Sequence, residues 1–102
     1  MAMHLFCYTS YFKDELEEKI KKLSSENEDT FSVKFLISRV REGNSNDQET
    51  ALEYGLNAHS KFLIRVNEKS AAGEVPQVVD IIKNALAEDA VIVLWENEKL
   101  IS

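Results

Sequence analysis

The fold depends on one stretch of sequence, Gly43-Asn-Ser-Asn-Asp-Gln-Glu-Thr-Ala-Leu-Glu-Tyr-Gly-Leu-Asn-Ala-His-Ser60. It joins the apolar segment Phe31–Val40 to the apolar segment Lys61–Asn67. A tight hairpin needs about two to five residues, whereas a parallel crossover needs about a dozen or more. At about eighteen residues, the stretch has the length of a crossover connection. We therefore predict that the two flanking strands run parallel in one sheet.

The stretch itself has the signals of a helix. Its first residues, Gly43 to Asn46, are typical of a turn and separate the preceding strand from the helix. Ser45 with Gln48, or Asn46 with Glu49, then has the spacing of a capping box. We predict a helix from Asp47 to about Ala58, whose small residues suit close packing on a sheet.

Strand and helix periodicities alternate along the rest of the chain. Continuous or alternating apolar residues indicate strands, and apolar residues three and four apart indicate helices. The predicted strands are His4–Thr9, Phe31–Val40, Lys61–Asn67, Ala90–Trp95 and a short final Lys99–Ser102, and the other predicted helices are Tyr11–Ser24 and one opened by Glu74 to Pro76. In the second strand the alternation slips near Arg39 to Arg41, which predicts an end or a bulge there.

This order predicts one α/β domain over residues 1–102. We expect a three-layer sandwich with a four-stranded, mainly parallel sheet in a flavodoxin-like order. The alternative is a ferredoxin-like βαββαβ arrangement in which Asp47–Ala58 is an inserted helix.

The apolar stripes also predict which side chains form the core. They are Phe12, Leu16, Ile20, Phe35, Ile64, Val79, Ile82, Val91 and Val93.

Composition narrows the function classes. The longest apolar run, Ala90–Trp95, is too short to cross a bilayer, and the N-terminus lacks the basic start of a signal peptide. We therefore expect a cytoplasmic protein without membrane contact. With one cysteine and 2 histidines, an internal disulfide is impossible and a structural zinc site is not expected. No cofactor, metal or catalytic motif is recognisable, so we lean against an enzyme.

The net charge of −6 indicates which kind of partner the protein would bind. An acidic surface repels phosphate backbones, which argues against nucleic acid and favours a basic protein. Acidic residues cluster in Asp14–Glu18, in Glu26–Asp29 and at Glu88, Asp89, Glu96 and Glu98. Two of these places are candidate binding surfaces, one after the first helix and one around the tryptophan that ends the fourth strand. The candidate partner-binding residues are Glu26, Glu28, Asp29, Trp95, Glu96 and Glu98.

A second candidate site lies where the first strand ends. Hydroxyls and free N–H groups before a helix can hold an anion, and Thr9 and Ser10 stand there. In the parallel sheet that we expect, Asn67 would lie at the same edge. Cys7 would border this pocket, although a cysteine inside an apolar run is usually a core residue.

Two function classes remain after these exclusions. The first is a non-enzymatic protein-binding module, such as an inhibitor, an immunity factor or an accessory subunit, that docks a basic partner. The second is a small-ligand-binding or catalytic domain that uses the loop after the first strand. The sequence leaves the oligomeric state open.

Overall fold

The structure is a computed structural model that describes residues 3–31, 35–67, 73–96 and 99–100. The described elements alternate much as the periodicities predicted. In chain order they are β1 (Met3–Thr9), α1 (Lys13–Glu26), β2 (Phe35–Ile37), β3 (Arg41–Glu42), α2 (Ser45–Leu52), β4 (Ser60–Val66), α3 (Val75–Ala85), a 3-10 turn (Glu88–Ala90), β5 (Val91–Trp95) and β6 (Lys99–Leu100). None of the helices in these ranges is long and apolar enough to span a membrane.

The strands form a single sheet in the order β2-β4-β1-β5-β6. The short strand β3 also pairs with β4, next to the first residues of β4, whereas β2 pairs with its last residues. β1 lies between β4 and β5, and Cys7, for example, faces Phe62 on one side and Val93 on the other. Every described strand pair is antiparallel.

The prediction of a mainly parallel, flavodoxin-like sheet is therefore wrong. The strands on either side of the long link, β2 with β3 and then β4, run antiparallel. The observed strand order and directions are compatible with the ferredoxin-like alternative, in which α2 is an insertion.

The link fails as a crossover because its two ends close on each other. Glu42 pairs with Ser60, and the Gly43 N–H donates to the His59 carbonyl at 3.1 Å. Helix α2 occupies only Ser45–Leu52, and the chain then folds back to the start of β4. A long link permits a crossover without requiring one, because a loop that contains a helix can also close a wide hairpin.

The slip in the second strand is a β-bulge. Ile37 pairs with Ile64 and Arg41 pairs with Lys61, so β2–β3 has one more residue than β4 between these pairs. The Leu63 N–H donates to the Ser38 hydroxyl at 2.8 Å inside the bulge. The extra residue changes the alternation, so that Val40 enters the core.

The main core lies between one face of the sheet and helices α1 and α3. Both helices pack with strand residues from this face, and they touch each other above it. Eight of the nine predicted core residues are buried here, namely Leu16, Ile20, Phe35, Ile64, Val79, Ile82, Val91 and Val93.

A smaller core covers part of the other face. Tyr8, Ile92 and Leu94 project from β1 and β5 and pack with Ala51 of α2 and Leu56 that follows it. The alternate residues of β1 thus serve two cores, which is why Leu5–Tyr8 is apolar without interruption.

Helix α2 is held in place at its first turn by Asp47. Its backbone N–H donates to the Asn44 side chain at 2.9 Å, and its carboxylate accepts from the Asn44 N–H at 3.0 Å. The capping box thus uses Asn44 and Asp47, one residue earlier than the nearest predicted pair, Ser45 with Gln48. The Lys61 ammonium also binds the Asp47 carboxylate at 2.9 Å and ties the helix to β4.

Phe12 is the exception among the predicted core residues, because its side chain is 68% exposed. The prediction assumed that the helix includes Phe12, whereas α1 begins at Lys13. Phe12 occupies the N-cap position with extended backbone angles. Its side chain therefore leaves the stripe formed by Leu16, Ile20 and Leu23.

Truncation of the core should cost stability where the structure shows full burial. Ile64→Ala or Ile82→Ala is expected to lower the free energy of unfolding by about 2–5 kcal/mol, because each leaves a cavity between the helices and the sheet. Leu52→Ala, at a position 56% exposed, is the control and should change it by about 0.5 kcal/mol or less. Urea unfolding measures all three, and losses below about 1 kcal/mol at both isoleucines would contradict the assigned faces.

Candidate protein-binding surfaces

The direction of β1 defines two ends of the domain. The His4 end is the end at which β1 begins, where Val66 of β4 and Trp95 of β5 finish beside it. The Thr9 end is the end at which β1 finishes, where β4 begins at Ser60 and β5 begins at Val91. Candidate surfaces exist at both ends.

The first acidic candidates lie where α1 ends. Helix α1 starts after the Thr9 end, has 14 residues and is about 21 Å long, and the chain that follows it begins β2 at Phe35, beside Val66 at the His4 end. Glu26, Glu28 and Asp29 are all exposed there. Asn27 fixes the turn, because its backbone N–H and its side chain both donate to the Leu23 carbonyl, at 3.1 and 2.9 Å. Three carboxylates thus stand on an ordered turn.

The second acidic candidates follow β5, also at the His4 end. Trp95 is half-buried and packs against the main core. Glu96 has φ of 54°, in the left-handed region, and is held by the backbone of His4. Its N–H donates to the His4 carbonyl at 2.9 Å, and its Oε1 accepts from the His4 N–H at 3.1 Å. Glu98 lies outside the described residues.

The structure does not bring the alternative ligand-binding residues together. Ser10 and Thr9 lie at the Thr9 end, whereas Asn67 follows Val66 at the His4 end. Their separation follows from the antiparallel direction of β4, which the prediction had reversed. Cys7 and Thr9 are fully buried, so neither side chain is open to solvent.

Two hydroxyl groups at the Thr9 end, those of Thr9 and Ser60, bond to each other rather than facing solvent. The Ser60 hydroxyl donates to the Tyr11 carbonyl at 2.6 Å. The Thr9 hydroxyl lies 2.6 Å from the Ser60 oxygen and therefore donates to it. The His59 N–H also donates to the Thr9 carbonyl at 2.8 Å. These bonds join the β1–α1 turn to the start of β4.

The Cys7 thiol is a core group. Burial away from water raises the pKa of Cys7 far above its ordinary value, and the nearby Lys83 charge opposes this only in part. The Lys83 ammonium is itself bonded to the carbonyls of Val91 and Glu88, at 2.8 and 3.2 Å. A reactive thiol needs a lowered pKa and access, and Cys7 has neither.

Sequence reasoning missed a third surface, at the Thr9 end. The exposed ring of Phe12 stacks on His59, with centroids 4.6 Å apart and planes 26° apart. A concavity of 420 Å³ opens beside this pair and includes Asp14 and Glu42 in its lining. The sequence signal was the acidic first turn after Lys13, which is typical of a helix that begins after Phe12 rather than before it.

Taken together, these surfaces define a class of protein. The Thr9 and Ser60 hydroxyls are bonded internally and the thiol is buried, whereas the ring of Phe12 is exposed, and aromatic residues are enriched where proteins contact each other. The fold and its surfaces thus define a small α/β protein-binding domain.

Comparisons with known proteins identify the family. Residues 1–99 match the family model described as CDI System Immunity Component. The chain is 38% identical over 98 residues to immunity protein CdiI-2 of Burkholderia pseudomallei (strain 1026b), covering 96% of this chain and 97% of that protein. The chain therefore belongs to the CDI system immunity component family. The prediction of a non-enzymatic protein-binding module of the immunity-factor class is confirmed.

A solved structure supports the same assignment and the antiparallel sheet. The fold matches a chain of the CdiA-CT/CdiI toxin and immunity complex from Burkholderia pseudomallei with a TM-score of 0.94. The two are 35% identical, and the match covers 98% of this chain and 97% of that one.

The buried thiol predicts a simple chemical result. In the native protein, Cys7 should not react with a thiol reagent such as DTNB at pH 8, because burial keeps it protonated and inaccessible. In denaturant it should react fully within minutes. Rapid labelling of the native protein would show that the β1 region opens readily.

The paired hydroxyls predict a coupling between two substitutions. Ser60→Ala should lower the free energy of unfolding by about 1–3 kcal/mol, because it removes a partner of both the Thr9 hydroxyl and the Tyr11 carbonyl. Thr9→Val should cost about 1 kcal/mol. In a double-mutant cycle by urea unfolding, the double variant should lose less than the sum of the two. Strict additivity would mean that the two hydroxyls do not interact.

Proposed function

We propose that this protein binds a toxin domain of the CdiA-CT type and blocks its activity in the cell that makes both. The observation that carries the proposal is the fold match over 98% of the chain to a chain of a toxin and immunity complex. An immunity protein that acts by binding needs a stable surface rather than a reactive group. The internally bonded hydroxyls and the buried thiol described above suit that requirement.

The proposed partner surface on the toxin is basic. The net charge of −6 and the exposed carboxylates of Glu26, Glu28 and Asp29 support this. Trp95, Glu96 and Glu98 remain part of the proposed acidic surface, although Glu96 also bonds to the backbone of His4. Complementary charge mainly raises the rate of association, so these acids would draw the toxin toward the immunity protein.

The proposed place of action is the cytoplasm, as the sequence predicted. A single buried cysteine that forms no disulfide is compatible with a reducing compartment. There the immunity protein would meet toxin before the toxin reaches its target.

The direct test combines growth and binding. Cells that express the toxin domain of the same CDI system should stop growing, and co-expression of this protein should restore growth. Isothermal titration calorimetry with the two purified proteins should show a saturable complex. A soluble, folded protein that neither restores growth nor binds the toxin domain would overturn the proposed function.

Charge reversal tests the electrostatic part of the proposal. Glu26→Lys with Glu28→Lys should slow association by about tenfold at low salt, because attraction to a basic surface becomes repulsion. The difference from the unaltered protein should shrink as salt is raised. Stability should hardly change, since exposed charges contribute little.

The control is Glu53→Lys with Asp80→Lys, which makes the same change in net charge at exposed positions of other elements. Stopped-flow or biolayer measurements of the association rate compare the two variants. Equal effects from both pairs would assign the attraction to net charge, and no effect from either would remove electrostatic docking.

A further inference from the structure

We propose that the toxin is anchored at the Thr9 end, where an arginine side chain of the toxin stacks on Phe12 and pairs with Asp14 and Glu42. The inference rests on the proposed function and adds to it the surface that holds the partner once charge has drawn it in.

Phe12 is the most exposed of the large apolar side chains in the described ranges, at 68%. An aromatic ring in water is unfavourable unless another group covers it. One face of the ring stacks on His59, with centroids 4.6 Å apart. The high exposure means that much of the ring, including its other face, remains in contact with water. Aromatic residues of this kind dominate the binding energy of many protein interfaces.

The ring is mounted on a rigid base. His59, which stacks on Phe12, donates its N–H to the Thr9 carbonyl at 2.8 Å. Tyr11, the neighbour of Phe12, accepts from the buried Ser60 hydroxyl at 2.6 Å. Hydrogen bonds to Thr9 of β1 and Ser60 of β4 thus fix the backbone at His59 and next to Phe12. A preorganised anchor loses little conformational entropy on binding, which raises affinity.

The concavity beside the ring carries the charge that an arginine needs. Asp14 and Glu42 both line it, and neither makes a salt bridge within the described part of the chain. The cation in the same lining, Lys13, is bound to Glu17 at 2.7 Å, one helical turn further along α1. Two carboxylates therefore line this space beside a cation that is already bound to Glu17 and that also interacts electrostatically with both of them.

Arginine fits this arrangement better than lysine does. Its guanidinium is planar, so it can stack on an aromatic face while its N–H groups reach carboxylates at the edge. The ring, the two carboxylates and a concavity of 420 Å³ match those needs. A second concavity of 280 Å³ shares His59 and Gln48 with the first, and exposed Leu52 in its lining extends the apolar contact around the anchor.

The experiment measures dissociation of the toxin domain from variants at Phe12. Phe12→Ala should raise the dissociation constant by about 30-fold or more, mainly through faster dissociation, as expected for a central anchor. Phe12→Leu, which keeps apolar bulk but has no aromatic face, should weaken binding by about tenfold. Phe12→Tyr, which keeps the face, should stay within about threefold of the unaltered protein.

A charge variant tests the carboxylates. Asp14→Asn with Glu42→Gln should weaken binding by about tenfold and reduce its dependence on salt. The control is Leu36→Ala, at a 39% exposed position on the sheet face near the His4 end, which should stay within about twofold. Thermal unfolding verifies that each variant is folded. The Phe12 variants are expected to fold, because the Phe12 side chain is largely exposed.

The outcomes separate this inference from the function on which it rests. If the unaltered protein does not bind the toxin domain, the proposed function fails. If it binds and Phe12→Ala stays within about twofold, the anchor is elsewhere and this inference fails while the function stands. If Phe12→Leu binds as well as Phe12→Tyr, or if the charge variant is unaffected, stacking by an arginine is wrong.

Discussion

The structure depends on the antiparallel hydrogen-bonded ladders that β1 forms on both sides. All seven of its residues pair with β4, and Leu5 to Thr9 also pair with β5. Its alternate side chains serve the main core under α1 and α3 and the smaller core under α2. Because β4 and β5 both run opposite to β1, the turns and links of the chain gather at two ends. Those two ends are where the candidate surfaces lie.

The long link between β3 and β4 supplies part of the exposed surface at the Thr9 end. Asp47 caps α2 and binds Lys61, which keeps the link folded back against the sheet. The link returns to β4 through His59, whose ring meets Phe12 from the β1–α1 turn. Two segments far apart in sequence thus build one aromatic feature at the surface. A crossover connection would have carried this segment to the other end of the sheet.

The division between interior and surface suits an immunity protein. In the described ranges, every buried polar side-chain atom has a hydrogen-bond partner, so these atoms need no ligand to satisfy them. Binding therefore uses the exposed surface, where charged and aromatic side chains affect different rates. Carboxylates act over distance and on the rate of association, whereas a desolvated ring acts on the rate of dissociation. The proposed acidic His4 end and the proposed anchor at Phe12 are therefore distinguishable by kinetics.

From the sequence alone we could predict the types and positions of most elements, an end or a bulge near Val40 and a core position for Cys7, and an immunity factor was one example within the first of two function classes that stayed open. These depend on local periodicity, on the polarity of single residues and on overall charge, which are all properties of the chain itself. Strand direction, the separation of Asn67 from Thr9 and the pairing of Phe12 with His59 were decided only by the tertiary structure. The same periodicity fits parallel and antiparallel strands, and a link of this length can close either way. The helix starts at Lys13 rather than at Tyr11, and this shift of two residues was enough to move Phe12 from the core to the surface, because Phe12 then precedes the helix instead of lying on its apolar stripe.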